Sequence, residues 1–208
     1  MATLTFQTGA TKVTGGVCDS AAPNTNYPLT TNGISALVQS GVYNITCLQF
    51  DIAALAGRPV ISASLRMYRQ VVSGGSASDV YLVRRTTAPA FVPAQVTWNS
   101  RSSGVPWGGG SEPDLDSANG LTFLRGSQDT WAEWLGNANL KALVEDARDN
   151  RSHLLQLGVS PDVLSGANRF VTIYGPAAPT SSLWPELIIV TTDHGTVRVI
   201  IQPAEAVA

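Results

Sequence analysis

The sequence predicts an all-β fold, a β-sandwich that carries one short helix. Three observations lead there. Short runs alternate apolar and polar residues with a period of two, which sets one face of each run against a core. Clusters rich in Gly, Pro and Ser separate these runs: VSGGSAS at 72–78, SRSSGVPWGGGSEPD at 100–114 and GPAAPTSSLWP at 175–185. Only one stretch changes to a helical period. Many short strands with frequent turns read as packed sheets, because each sheet must bury its apolar face.

The elements follow in order. ATLTF places Leu4 and Phe6 on one side. VCDSAAPNTNYP at 17–28 has no long apolar run, and a catalytic loop, a metal loop and a structural corner are the readings open to it. A corner is favoured: Asn and Asp side chains close turns on their own backbone and Pro fixes φ, with Tyr27 packing or donating at the sandwich edge. ISALVQS comes next, then LQFDI, with Leu48, Phe50 and Ile52 inward and Gln49 and Asp51 outward. VISASLRMYRQ alternates most clearly, Ile61, Ala63, Leu65 and Met67 against Ser62, Ser64, Arg66 and Tyr68. DVYLVRR and AQVTW are further strands, and HLLQLGVS, RFVTIYG and ELIIVTT follow the helix. That helix is NLKALVEDARDN. Leu140, Leu143, Val144 and Ala147 share one face, Asn137 or Asn139 supplies the cap, and the helix covers one end of the sandwich.

Composition narrows the function. Charged residues are 13% of the 208, roughly half the usual share of ~25%, so Ser, Thr, Asn and Gln carry the solubility. A net charge of −2 provides no basic field for nucleic acid. MATLTFQTGATKV lacks the basic and apolar regions of a signal peptide, and no run suits a membrane helix. Cys18 and Cys47 are the two cysteines, without zinc spacing. A disulfide and two buried thiols are both open, and the lack of a secretory signal favours the thiols.

No catalytic set stands out. His153 falls at a strand start and His194 in a turn; no Ser sits in G-x-S-x-G, and neither Cys has a neighbouring His. The acidic groups Glu112/Asp114/Asp116 and Glu145/Asp146/Asp149 read as solvated faces rather than the facing carboxyls of a glycosidase. Glu112, Asp114, Asp116 and Asn119 alternate as calcium ligands can, but lack the EF-hand pattern, so a plain acidic loop is favoured over a metal site. No cofactor is expected. Of the five tryptophans, Trp107 and Trp131 lie in loop-like sequence and are the candidates for glycan contact, since aromatic faces stack on sugar rings. The favoured alternative has Trp98 and Trp134 in the core and the others capping the sandwich ends.

The order of these features resembles the DNRLRE-type domain, a jelly-roll β-sandwich related to carbohydrate-binding modules. The resemblance runs through Asp19 to Asn26 and Tyr27, then Leu48, Phe50 and Asp51, then Val60, Ala63 and Leu65, the Trp98–Asn99 pair, and Pro185 with Leu187. It covers residues 2–192 and implies a jelly roll with a structural Trp-Asn pair and a sugar-binding kinship. Residues 193–208 extend past it and hold an added strand, TVRVIIQ, where Val197, Val199 and Ile201 alternate with Arg198, Ile200 and Gln202. Such a strand needs an edge. It folds back on its own sheet through a turn at 193–195, the favoured reading, or adds to a neighbouring subunit through Val197, Val199, Ile200 and Ile201.

The expectation is a non-enzymatic structural protein of a virus particle, a bacteriophage capsid-decoration, cement or fibre component. Its partners would be other virion proteins, the major capsid protein first, and copies of itself in a trimer, with no nucleic acid and no membrane. The alternative is an extracellular carbohydrate-binding module attached to polysaccharide. The two readings coexist if a virion protein holds a surface glycan.

Overall fold

The computed structural model describes residues 1–7, 13–28, 33–87, 90–109, 112–162, 168–174 and 181–192. Alternating sequence becomes strand along most of its length. The strands are β1 (Ala2–Gln7), β2 (Val13–Asp19), β3 (Tyr27–Pro28), β4 (Gly33–Gln39), β5 (Val42–Asp51), β6 (Val60–Gly74) and β7 (Val80–Thr86). β8 (Ser100–Ser102), β9 (Val105–Pro106), β10 (Leu115–Leu124) and β11 (Trp131–Trp134) follow, then helix α1 (Ala138–Asn150), and finally β12 (Leu154–Pro161), β13 (Arg169–Tyr174) and β14 (Glu186–Thr191). The pairings among them are antiparallel.

The hydrogen-bonded path runs β1-β14-β6-β13-β4-β5-β12-β7-β10. Leu65, Leu187 and Ile189 from its first part share one apolar cluster with Phe50, Leu157 and Val83 from its second. Strands lie about 4.8 Å apart within a sheet, so these residues meet only because the path doubles back into two facing layers. The chain is therefore an all-β sandwich with one helix, as its periodicity predicts. β6 belongs to both layers: its residues 60–68 pair with β14 and β11, and its residues 69–74 pair with β13. β4 continues the second sheet from β13 to β5. It pairs with β13 through residues 33–38 and meets β5 only at Leu37–Asn44, Val38–Tyr43 and Gln39–Val42. The tight hairpin between β4 and β5 turns at Ser40 and Gly41, both at positive φ, the backbone that two-residue hairpins prefer.

The inner face of β6 holds one departure from simple alternation. Ala63, Leu65 and Met67 are buried as predicted, but Ile61 is 39% exposed and Val60 takes the core position. The register against β14 slips here: Val190 faces Ser62 while Thr191 faces Val60. One extra residue reverses the faces beyond it. AQVTW also departs from expectation. Pro93 begins a turn, closed by Gln95 N donating to Val92 O at 2.9 Å, so this stretch is not a strand.

Helix α1 buries Leu140, Leu143, Val144 and Ala147 in the main core. It packs on β6 of one layer and on β10 and β12 of the other, and so closes the gap between them. Asn137 is the cap: its Oδ1 accepts from Leu140 N at 3.1 Å.

Arg85 of β7 fastens the helix to the sheet. Its Nε donates to Asp116 of β10 at 2.7 Å and its Nη1 to Asp146 of α1 at 2.7 Å. Arg151 donates to Asp146 at 2.6 Å and to Thr86 O at 2.8 Å. The Ala118 backbone N–H, and then Arg85, hold the Asp116 carboxyl below the usual range. Burial pushes Asp146 up, but bonds from Asn150 and Arg151 outweigh it, and its pKa is also lowered. Depressed carboxyls stabilise fully above their unfolded values near ~4, and that contribution is lost as pH falls through the folded values. Urea midpoints should therefore hold from pH 7 to 5 and decline below about pH 4, and Asp116→Asn should blunt the decline. A wild-type midpoint flat down to about pH 2.5 would remove these pairs from the account of stability.

Candidate functional site

The corner at 19–27 is built by its own side chains. Asp19 Oδ1 accepts from Ala21 N at 2.8 Å, and Ser20 Oγ accepts from Tyr43 N at 2.8 Å. Asn26 Nδ2 donates to Pro93 O at 3.2 Å and to Val96 O at 2.6 Å, and Asn99 N donates to Pro23 O at 2.9 Å. The stretch therefore grips the segment 90–109. Tyr27 is exposed and pairs through its backbone with Val17.

That segment covers the outer face of β2, β5 and β12. Antiparallel sheets usually leave one face to water. Here Phe91, Val96, Trp98 and Trp107 form a second apolar cluster with Cys18, Ile45 and Cys47. Gly16 of β2 and Gly158 of β12 both stand opposite Cys47, giving a small-residue row across three strands. A Cβ on Gly16 would lie 2.7 Å from Val96 Cγ1, and one on Gly158 would lie 2.4 Å from Leu115 Cδ2. Gly16 thus permits the close approach of the segment, and Gly158 that of Leu115 in β10. Buried Gln156 holds the cover at Phe91, donating to its O at 2.8 Å and accepting from its N at 3.2 Å.

Trp107 belongs to this second core. It is 2% exposed and its Nε1 donates to Thr97 O at 3.0 Å. The expectation of glycan contact at Trp107 is corrected on that ground, because the ring has no face open to a ligand. Trp98 packs in the same cluster and Trp134 in the main core, whereas Trp184 is half-buried. Cys18 and Cys47 are free, fully buried thiols with sulfurs 3.8 Å apart. Contact with Cys47, and then burial, push the Cys18 thiol well above its ordinary pKa.

Trp131 differs. It lies in β11, not in a loop, directly opposite Tyr68 of β6, with Ala132 and Trp134 turned to the core. Its ring meets Tyr68 edge-on at 5.1 Å, and Tyr68 meets Tyr174 at 5.8 Å. All three rings are half-buried. The Arg66 guanidinium lies 4.6 Å from the Trp131 centroid and is paired with Glu186. Buried Arg69 anchors this strand, donating to Trp131 O at 2.6 Å, Thr130 Oγ1 at 2.9 Å and Leu124 O at 3.1 Å. The result is an aromatic strip beside an ion pair on the outer face of β6, β11 and β13. The alternation of β6 marks Tyr68 as outward, but nothing in the sequence joins it to Tyr174.

The acidic residues do not converge. Asp116 is taken by Arg85, Glu112 is exposed, and Asp114 lies beside Gly108. Among the described residues no three His, Cys, Asp or Glu side chains are grouped as a metal site requires. The calcium candidate formed by Glu112, Asp114 and Asp116 is corrected accordingly. His153 sits at φ +64 in the turn before β12, and its side chain makes no hydrogen bond among the described residues. His194, Val197, Val199, Ile200 and Ile201 lie outside the described residues.

No protein-family model matches the sequence, and no curated protein matches it. The contrast between two tryptophans is measurable. Trp107→Ala should cost about 3–5 kcal/mol in urea unfolding, the value for a buried aromatic. Trp131→Ala should cost less than about half of that, since its ring is already partly hydrated. Equal losses would refute the assignment of Trp107 to a core and Trp131 to a surface.

Proposed function

We propose that this protein is a non-enzymatic structural component of a virus particle, a capsid-decoration, cement or fibre protein of a bacteriophage. Its partners are other virion proteins, the major capsid protein first. The observation that carries this reading is the pairing of β14. Along its whole length one edge is taken by β1, from Ala2–Thr191 to Gln7–Glu186, and the other by β6. β14 is therefore flanked on both sides, and an edge left open in that sheet among the described residues is the outer edge of β1. β1 pairs only with β14 among the described residues, and its first residues lie beside the point where the tail leaves. An open sheet edge suits strand addition between chains, which is the contact this reading requires. Particle symmetry would multiply that contact, with a trimer as the smallest closed unit proposed. The low charge content and the resemblance to a jelly-roll domain support the same reading.

Density-gradient fractionation of lysate from the source culture tests it, with the protein traced by mass spectrometry. The expected outcome is co-migration with particles in a simple ratio to the shell protein, lost or weakened on deleting residues 196–208. Recovery only as free protein would refute the particle assignment. Retention on particles after truncation would refute the role of the tail.

A second reading rests on the aromatic strip. Trp131, Tyr68 and Tyr174, with Arg66 held by Glu186, form a surface on which a sugar face can stack. On this reading the protein is a carbohydrate-binding module. Retention on immobilised polysaccharide should fall at least about tenfold in Trp131→Ala and in Tyr68→Ala. Unchanged retention in both would exclude the strip.

A further inference from the structure

The cover that hides the second core has an opposite, polar side. A shallow cleft of ≈ 350 Å³ lies there, between the corner at 19–27 and the segment 95–104. That volume falls at the lower end of the ~300–1,000 Å³ found for ligand pockets. Every residue lining it is uncharged, and all but one carry a side-chain amide or hydroxyl.

The three amides are each half committed. Both donors of Asn26 Nδ2 go to Pro93 O and Val96 O, leaving Oδ1 as an acceptor. Asn24 Oδ1 accepts from Asn99 Nδ2 at 2.9 Å, which leaves its NH₂ to donate. Gln95 Oε1 accepts from Ser103 N at 3.0 Å, which likewise leaves its NH₂. Thr97 Oγ1 accepts from Ser100 N at 3.0 Å and keeps its own proton. Ser102 and Ser103 add hydroxyls. The bonds to the fold set which half of each amide faces away from it, so the free donors and acceptors are oriented before any ligand arrives.

We propose that this cleft is a binding site for a neutral, polyhydroxylated ligand, a chain of uncharged sugars. Each sugar hydroxyl both donates and accepts, which matches a wall that alternates amide donors, an amide acceptor and hydroxyls. No lining side chain supplies a cation for phosphate or carboxylate, or a carboxylate for a metal ion. The site is separate from the Trp131 strip and independent of particle assembly.

The test is a titration of the ¹⁵N-labelled 208-residue chain with cellohexaose, maltohexaose and xylohexaose, and with a hexamer of galacturonic acid as the charged counterpart. At least one neutral hexaose should saturably shift the side-chain NH₂ signals of Asn24 and Gln95. Ser102→Phe, which fills the cleft, should weaken that binding at least about tenfold, and Asn24→Ala should weaken it in the same direction. Trp131→Ala should leave it within about twofold. Backbone amide spectra identify any variant that misfolds, and the remaining variant then carries the test. The proposal is overturned if no neutral hexaose shifts these signals up to about 10 mM, or if the charged hexamer binds as well. It is also overturned if binding is lost in Trp131→Ala while surviving Ser102→Phe.

Discussion

The close approach of Val96 and of Leu115 to the row Gly16–Cys47–Gly158, Val96 over Gly16 and Leu115 over Gly158, is the constraint on which the rest depends. An antiparallel sheet with one wet face needs only alternating apolar residues. Here β5 is buried on both faces over residues 45–48, and β12 over 155–161. Small side chains in one transverse row lower the floor of the outer face. Phe91, Val96, Trp98 and Trp107 then fill the space above it. Larger residues in that row would lift the cover from the strands and expose the rings beneath.

This second core also explains the polar architecture around it. A segment with little regular structure leaves many backbone groups to be paired by other means. Asn26 supplies donors to two carbonyls of the turn, Gln156 binds both backbone groups of Phe91, and Trp107 caps Thr97 O. These bonds keep buried backbone satisfied. The bonds of Asn26 also fix its outward half, so this side chain both secures the turn and lines the neutral cleft outside. The corner at 19–27 is structural and lines a surface at once.

Much of the fold was legible because alternation is a direct imprint of the pleat. Leu48, Phe50 and Ile52, and Ala63, Leu65 and Met67, fall where their spacing puts them. Ile61 does not, because the bulge against β14 is a property of two strands together and leaves no mark on either alone. AQVTW shows the limit of a short apolar run: Val96 and Trp98 are buried, but from a turn begun by Pro93. The surfaces were harder to read. Trp107 has glycine neighbours and looks like an exposed loop residue, yet the glycines accompany a chain pressed onto a sheet. Trp131 resembles a loop residue because β11 spans only four residues. The aromatic strip and the amide cleft join residues distant in sequence, such as Tyr68 with Tyr174 and Asn24 with Gln95, so periodicity cannot reveal them.

The flanking of β14 by β1 and β6 has a mechanical consequence. Antiparallel hydrogen bonds lie perpendicular to the strands, so a pull along the strand axis loads every rung of a ladder together. Tension drawn out through Thr191 in that direction is shared by two ladders, one on each side. Tension applied between Ala2 and Thr191, which face each other, instead opens the β1 ladder one rung at a time. The sandwich thus resists load on its tail by shear and yields at its first strand by peeling, a directional strength set by strand order alone.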